Sequence, residues 1–352
     1  MNRLRVGLSR AFFKPDGAPT YPDFDLSKLE RNPQVELVKV SSGGEISPDH
    51  IRDLDAIILG VETFARAAII PNGRITLIAR FGVGYNAIDI GACTEHGIGV
   101  AITPDGVRRP VAVSVIALLL ALTGKMFCKD RLTRMGPAGF AQRSAYMGIG
   151  LVDRTLGLVG LGNIGLETVR LAKPFGLRFI AHDPYVDPAV AAEMNVSLVD
   201  IDTVFRESDF VSLNCPLTPQ TTHLVNERRI ELMKPRAFLI NTARGGLIDQ
   251  AALTRALVAC RIAGAGLDVL DPEPPAADDP ILKLDNVILA PHALSHTDQC
   301  FAGIGASAVG AVLAVMSGEP PRCLVDRAVL ENPAWQARLA DYKTRFLAKA
   351  PT

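Results

Sequence analysis

The stretch Leu156-Gly-Leu-Val-Gly160-Leu-Gly162-Asn163-Ile164-Gly165 decides the fold. A short apolar run without polar alternation reads as a strand buried on both faces of a parallel sheet. It passes directly into G-x-G-x-x-G, and the residues from Ile164 to Pro174 read as a helix. In that context the three glycines have separate tasks: a tight turn, close backbone approach to a pyrophosphate, and helix–strand packing. Free N–H groups at the helix start then meet the pyrophosphate charge. The next strand-like run, Arg178–Ala181, ends at His182-Asp183. A carboxylate there accepts from the adenosine ribose hydroxyls and repels a 2′-phosphate. No arginine follows in Pro184-Tyr185, so the expected cofactor is NAD.

A second glycine cluster, Gly82-Val83-Gly84-Tyr85-Asn86-Ala87, also follows a strand-like run, Thr76–Ala79. Each cluster even has an aspartate 18 residues after its last small residue, Asp183 and Asp105. Asp105 lies beyond Pro104, past its strand end, so the second cluster is read as a loop of another kind.

Outward from the fingerprint the same rhythm repeats. Strand-like runs are expected at Leu4–Leu8, Ala56–Leu59, Gly99–Thr103, Phe210–Leu213, Ala237–Asn241, Ala263–Leu267 and Val287–Ala290. Helical stretches such as Glu227–Met233 and Gln250–Cys260 fall between them. This alternation predicts right-handed βαβ crossovers and a doubly wound α/β fold. At about 150 residues per domain, 352 residues suggest two domains, with a boundary near Pro104-Asp105-Gly106. The apolar Val111–Leu122 run reads as a buried helix starting after Pro110, 12 residues long and too short to span a bilayer.

Composition narrows the partners. Lys+Arg and Asp+Glu number 37 each, so no net charge favours nucleic acid or an anionic membrane. Met1-Asn2-Arg3-Leu4 leads into a strand-like run without a signal-type apolar core. Six scattered cysteines with no C-x-x-C predict neither a disulfide framework nor a metal site, and fit a reducing cytoplasm. The segment after Pro320 carries many charges and the single tryptophan, Trp335, and reads as a helical extension.

Three later segments carry chemistry: Asn241-Thr242-Ala243-Arg244-Gly-Gly, Asp271-Pro-Glu273-Pro and Pro291-His292. Each follows a predicted strand at its carboxyl end, where ligands gather in open α/β sheets. With the fingerprint and Asp183, the order of these segments resembles the D-isomer-specific 2-hydroxyacid dehydrogenases, over roughly residues 55–318. The resemblance implies a Rossmann NAD domain, 105–295, inserted into a flavodoxin-like substrate domain, 1–104 and 296–352, with catalysis in the cleft between them. It implies that Arg244 grips the substrate carboxylate and polarises the C2 oxygen, as a planar guanidinium does well. It makes His292 the acid in reduction and the base in oxidation, a task suited to imidazole. Glu273 would hold His292 and favour its protonated form.

The resemblance also implies cofactor contacts at Asn163, Ile164, Cys215, Pro216, Thr242 and Ala243, and an acceptor for the nicotinamide carboxamide at Asp268. A reactive-thiol reading of Cys215 lacks any Cys–His spacing. In the Arg80–Asn86 loop, Val83 and Gly84 would offer amides to the substrate carboxylate, an anion nest with physical sense of its own. The family further suggests a homodimer through the Val111–Leu122 region, and a small 2-hydroxy or 2-keto acid as substrate.

The chain departs from the family pattern at Val113, where a glutamate usually stands, and at Ile102, where an asparagine does. The tryptophan usual before the fingerprint is also missing. Arg108 and Arg109 either bind a second anionic group on the substrate or form a solvated basic turn, and Arg80 poses the same choice. Glyoxylate/hydroxypyruvate reductase and phosphoglycerate dehydrogenase are the nearest activities. No regulatory βαββαβ pattern follows residue 330, which weakens the regulated phosphoglycerate form. Formate dehydrogenase is set aside because it has glutamine in the Glu273 position. An NAD-sensing corepressor of the same fold is the alternative from another class.

Overall fold

A computed structural model describes residues 3–347. The chain divides into two compact units, one formed by 1–107 with 296–352 and the other by 108–295. Both are α/β, and every strand pair in both sheets is parallel.

The first unit contains β1 (Leu4–Leu8), β2 (Val35–Lys39), β3 (Ala56–Leu59), β4 (Leu77–Arg80) and β5 (Gly99–Ala101). Their order is β2-β1-β3-β4-β5, the flavodoxin-like arrangement. β3 is buried throughout, and Ile57, Leu59 and Ile78 join Ile46, Ile51, Leu54 and Phe64 in its core. β2 was not expected. It is an edge strand with only Val35 fully buried, and its Glu36 and Lys39 interrupt the apolar run.

The expected extension after Pro320 contains a helix, Pro333–Tyr342, that closes this unit. Trp335 is buried against Gly99, where a Cβ would lie 2.6 Å from the indole. Arg338 donates to the carbonyls of Gly73 and His96 at 2.9 Å each. The Tyr342 hydroxyl reaches the Asp55 carboxylate at 3.2 Å.

The second unit contains β6 (Thr155–Val159), β7 (Arg178–His182), β8 (Val196–Leu198), β9 (Phe210–Leu213), β10 (Phe238–Asn241), β11 (Gly264–Leu267) and β12 (Val287–Leu289). The order β12-β11-β10-β9-β6-β7-β8 reverses direction at β6, as in dinucleotide-binding sheets. β8 was also unexpected, an edge strand with one buried residue in three.

One helix differs from expectation in length. It runs from Pro104 to Thr123 and contains Pro110. Pro110 forfeits one backbone hydrogen bond early in the helix, which long apolar packing outweighs. Val115, Leu118, Leu119 and Leu122 from its later turns enter the core with Leu156, Leu158 and Phe210. At 20 residues and mean hydropathy 1.6 it meets the length and composition of a membrane span, contrary to the shorter reading. Its burial in this core accounts for that composition. The unit boundary falls inside the helix because Gly106 lies against the backbone of Gly303 and Ile304, leaving the first turn with the first unit.

Candidate active site

At the carboxyl end of β6 the chain makes the predicted tight turn. Gly160 has φ +95, and a Cβ there would lie 2.8 Å from the Asn214 and Cys215 backbone. A Cβ on Gly165 would lie 2.5 Å from the Gly160 carbonyl oxygen, so helix Asn163–Ala172 packs closely on the turn. Gly162, the residue before this helix, faces open space. That is the room a pyrophosphate needs beside free helix-start amides.

Asp183 stands just past β7, and its carboxylate is fixed by three amides. Oδ2 accepts from Leu161 at 2.7 Å. Oδ1 accepts from Tyr185 at 2.8 Å and Val186 at 3.1 Å. A carboxylate has about four acceptor positions, so capacity remains for ribose hydroxyls. Cys215 follows β9 on the other side of the reversal in strand order. Burial pushes its thiol up to about 11, and Asp183 adds to the effect. It is therefore protonated at neutral pH and unsuited to nucleophilic attack. The Thr242 hydroxyl is buried without a hydrogen-bond partner among the described residues. An open glycine turn, an anchored carboxylate and an orphaned hydroxyl fit the cofactor inferred from the sequence.

The expected acid–base pair is assembled at the neighbouring strand ends. β10, β11 and β12 are consecutive in the sheet, and Arg244, Glu273 and His292 follow them in that order. His292 Nδ1 lies 3.0 Å from Glu273 Oε2. The other oxygen, Oε1, accepts from the Leu270 amide at 3.0 Å, which fixes the carboxylate plane. The His292 amide donates to the Asp268 carbonyl at 2.8 Å, holding the residue at φ +54. With Nδ1 on the carboxylate, Nε2 is the ring nitrogen left for a substrate. Asp268 is buried, and its Oδ1 accepts from Ala293 at 2.9 Å and Leu294 at 3.2 Å.

Burial lowers the pKa of the Arg244 guanidinium, while the Glu273 charge opposes that shift. Asn241, which the sequence reading passed over, positions this segment. Its side chain donates to the Arg244 carbonyl at 2.8 Å and accepts from the Ala243 amide at 3.0 Å. The available signal was a polar residue ending the buried run Phe238-Leu-Ile.

In the first unit, Arg80 braces its own loop. Its Nε donates to the Gly84 carbonyl at 2.8 Å, and Nη1 donates to the Phe81 carbonyl. The Val83 and Gly84 amides make no hydrogen bond among the described residues. His296 packs its ring edge to Phe301, centroids 5.0 Å apart.

Arg108 and Arg109 lie inside the long helix rather than opening it. The Arg109 guanidinium is 2.7 Å from Glu167, a buried carboxylate on the helix after the fingerprint that Arg170 also grips. The anion that Arg109 meets is thus the chain's own. Arg108 is exposed.

Comparison with known proteins identifies relatives of this chain. The family profile "D-isomer specific 2-hydroxyacid dehydrogenase, NAD binding domain" matches residues 116–293. A glyoxylate reductase of Korarchaeum cryptofilum is 36% identical over 319 residues, covering 88% of this chain and 95% of that protein. A D-3-phosphoglycerate dehydrogenase of Methanocaldococcus jannaschii is 38% identical over 293 residues, 83% of this chain but 55% of that one. A D-lactate dehydrogenase of Aquifex aeolicus, solved with NAD and lactic acid, superposes with a TM-score of 0.78 at 28% identity, covering 91% of this chain and 98% of that one.

The chain belongs to the D-isomer-specific 2-hydroxyacid dehydrogenase family. It is an NAD-dependent D-2-hydroxyacid dehydrogenase.

Two substitutions test the site. Asp183→Ser removes the charge expected to accept from ribose. A charge-assisted hydrogen bond contributes about 1.5–3 kcal/mol, so KM for NAD is expected to rise roughly 10- to 100-fold with a shift of preference toward NADP. An unchanged NAD/NADP ratio in steady-state kinetics would remove Asp183 from this role. His292→Ala is expected to lower kcat by about 10²–10⁴ with NADH binding retained in a fluorescence titration. Near-full kcat would exclude His292 as the proton-transfer group.

Proposed function

We propose that the enzyme acts on a small, singly charged 2-keto or 2-hydroxy acid of the glyoxylate or hydroxypyruvate type. The observation that carries the reaction is the His292–Glu273 contact at 3.0 Å, one strand from Arg244. In this reading Arg244 pairs with the substrate carboxylate and draws charge onto the C2 oxygen. His292 Nε2 gives that oxygen a proton in reduction and removes it in oxidation. Glu273 orients the ring. The Val83 and Gly84 amides receive the substrate carboxylate, and Asp268 accepts from the nicotinamide carboxamide. The bound nicotinamide supplies or receives the hydride at C2.

A substrate without a second anion is supported by the Arg109–Glu167 ion pair, which occupies one of the two arginines suited to a phosphate or second carboxylate. A panel of 2-keto acids with NADH tests this. Turnover of glyoxylate or hydroxypyruvate is expected to exceed that of dicarboxylic and phosphorylated acids. Arg109→Ala should change kcat/KM by the same factor for mono- and dianionic acids. A loss confined to dianions would restore the second-anion role, and nucleotide binding without turnover on any acid would favour an NAD sensor.

The same reading includes a cytoplasmic homodimer. Most of the Val111–Leu122 face is used in the core, but the segment after it exposes Met126, Phe127, Met135, Phe140 and Met147. Apolar side chains in that number on one stretch suit contact with a second copy of the chain. Analytical ultracentrifugation should give a dimer, and Phe140→Lys combined with Met147→Lys should shift it toward monomer. An unmodified chain that sediments as a monomer would overturn this assignment.

A further inference from the structure

Glu62 is an acid at the carboxyl end of β3, 5% exposed, with one oxygen accounted for and one not. Oε1 accepts from the Ala11 amide at 3.1 Å. Oε2 is shielded from solvent and has no hydrogen-bond partner among the described residues. A carboxylate oxygen withdrawn from water without a donor is costly, so proteins seldom keep one without a use.

Its surroundings suit a small ligand. β1 and β3 are the strands between which the order of this sheet reverses, the place where open α/β sheets bind ligands. Ser9 follows β1, and its hydroxyl accepts from the Gly60 amide at 2.9 Å. A Cβ on Gly60 would lie 2.5 Å from Ala11 Cβ and 3.1 Å from both Ser9 Oγ and Glu62 Oε2, so the two oxygens stand beside a glycine backbone against which Ala11 packs. Val61, the intervening residue, is 76% exposed, whereas Glu62 beside it is buried.

The register pairs Leu59 with Arg80, so the loops carrying Glu62 and Val83-Gly84 leave the sheet side by side. Tyr21 connects them. Burial raises its phenol pKa, Arg80 opposes that shift and Glu62 reinforces it, so both charges act at this ring. Phe81 completes an apolar wall, 5.6 Å from Tyr21 and 4.9 Å from Phe12 between centroids.

We infer that Glu62 determines specificity at C3 of the substrate, its Oε2 accepting a hydrogen bond from a C3 hydroxyl. This rests on the 2-keto acid reading and extends it to a class: three-carbon acids hydroxylated at C3. An ionised carboxylate only accepts, so it rewards a donor, gains nothing from a methyl group and repels a second anion.

The test compares kcat/KM with NADH for glyoxylate, which has no C3, and for pyruvate, hydroxypyruvate and oxaloacetate. Each of the last three is expressed relative to glyoxylate. The unmodified enzyme should favour hydroxypyruvate over pyruvate by about 10-fold or more, the range of one charge-assisted hydrogen bond. Glu62→Ala should bring that ratio toward one. Glu62→Gln keeps the shape and an acceptor for Ala11, and places an amide donor where the charge was. It should raise oxaloacetate relative to hydroxypyruvate about 10- to 100-fold, and it decides the matter if the alanine variant does not fold. Glyoxylate turnover with both ratios unmoved by Glu62→Gln overturns the role of Glu62 alone. No NADH oxidation with any of the four acids overturns the reading of the reaction, and this role with it.

Discussion

The Glu273 carboxylate holds the His292 ring through Nδ1 at 3.0 Å, and much of the second unit is arranged to keep that contact in place. Glu273 arrives from the loop after β11 with its second oxygen on the Leu270 amide. His292 arrives from β12 with its own amide on the Asp268 carbonyl. Both anchors belong to the segment Asp268–Leu270, so the imidazole and its carboxylate are tied to a common piece of backbone. An imidazole left free to rotate would present Nε2 only part of the time. Orientation of this kind is a large part of what a protein adds to proton transfer.

The nucleotide end follows the same logic with different groups. Asp183 Oδ2 takes the Leu161 amide at 2.7 Å, so the acid proposed for ribose also fixes the glycine turn proposed for pyrophosphate. Two segments separated along the chain are thereby set at one spacing. In the first unit Arg80 works inwardly, bracing the Gly84 carbonyl. Arg109 likewise serves the fold, joining the long helix to the helix after the fingerprint through Glu167.

Much of this could be read from residue order, and the exceptions have physical causes. Central strands such as Ala56–Leu59 and Phe210–Leu213 are apolar because both faces are covered, and their bounds match the expectation. The edge strands Val35–Lys39 and Val196–Leu198 need no such covering, so their composition gives little away. Pro110 looked like a helix start because local sequence cannot show the packing that carries a helix through it. The Arg109–Glu167 pair spans 58 residues, and nothing in either segment names the other. Glu62 was missed for the same reason: an acid beside an exposed valine gives no sign from sequence of being buried.

The discontinuity of the first unit bears on the order in which the protein is made. The second unit holds all of its strands once residue 289 has been synthesised. The first unit cannot be completed then, because Gly73, His96 and Asp55 await Arg338 and Tyr342, more than two hundred residues downstream. A unit whose sheet lies within residues 4–101 is closed by a helix at Pro333–Tyr342. The inserted unit is therefore the one with all its contacts available early, while the unit that opens the chain carries the long-range closures that slow folding.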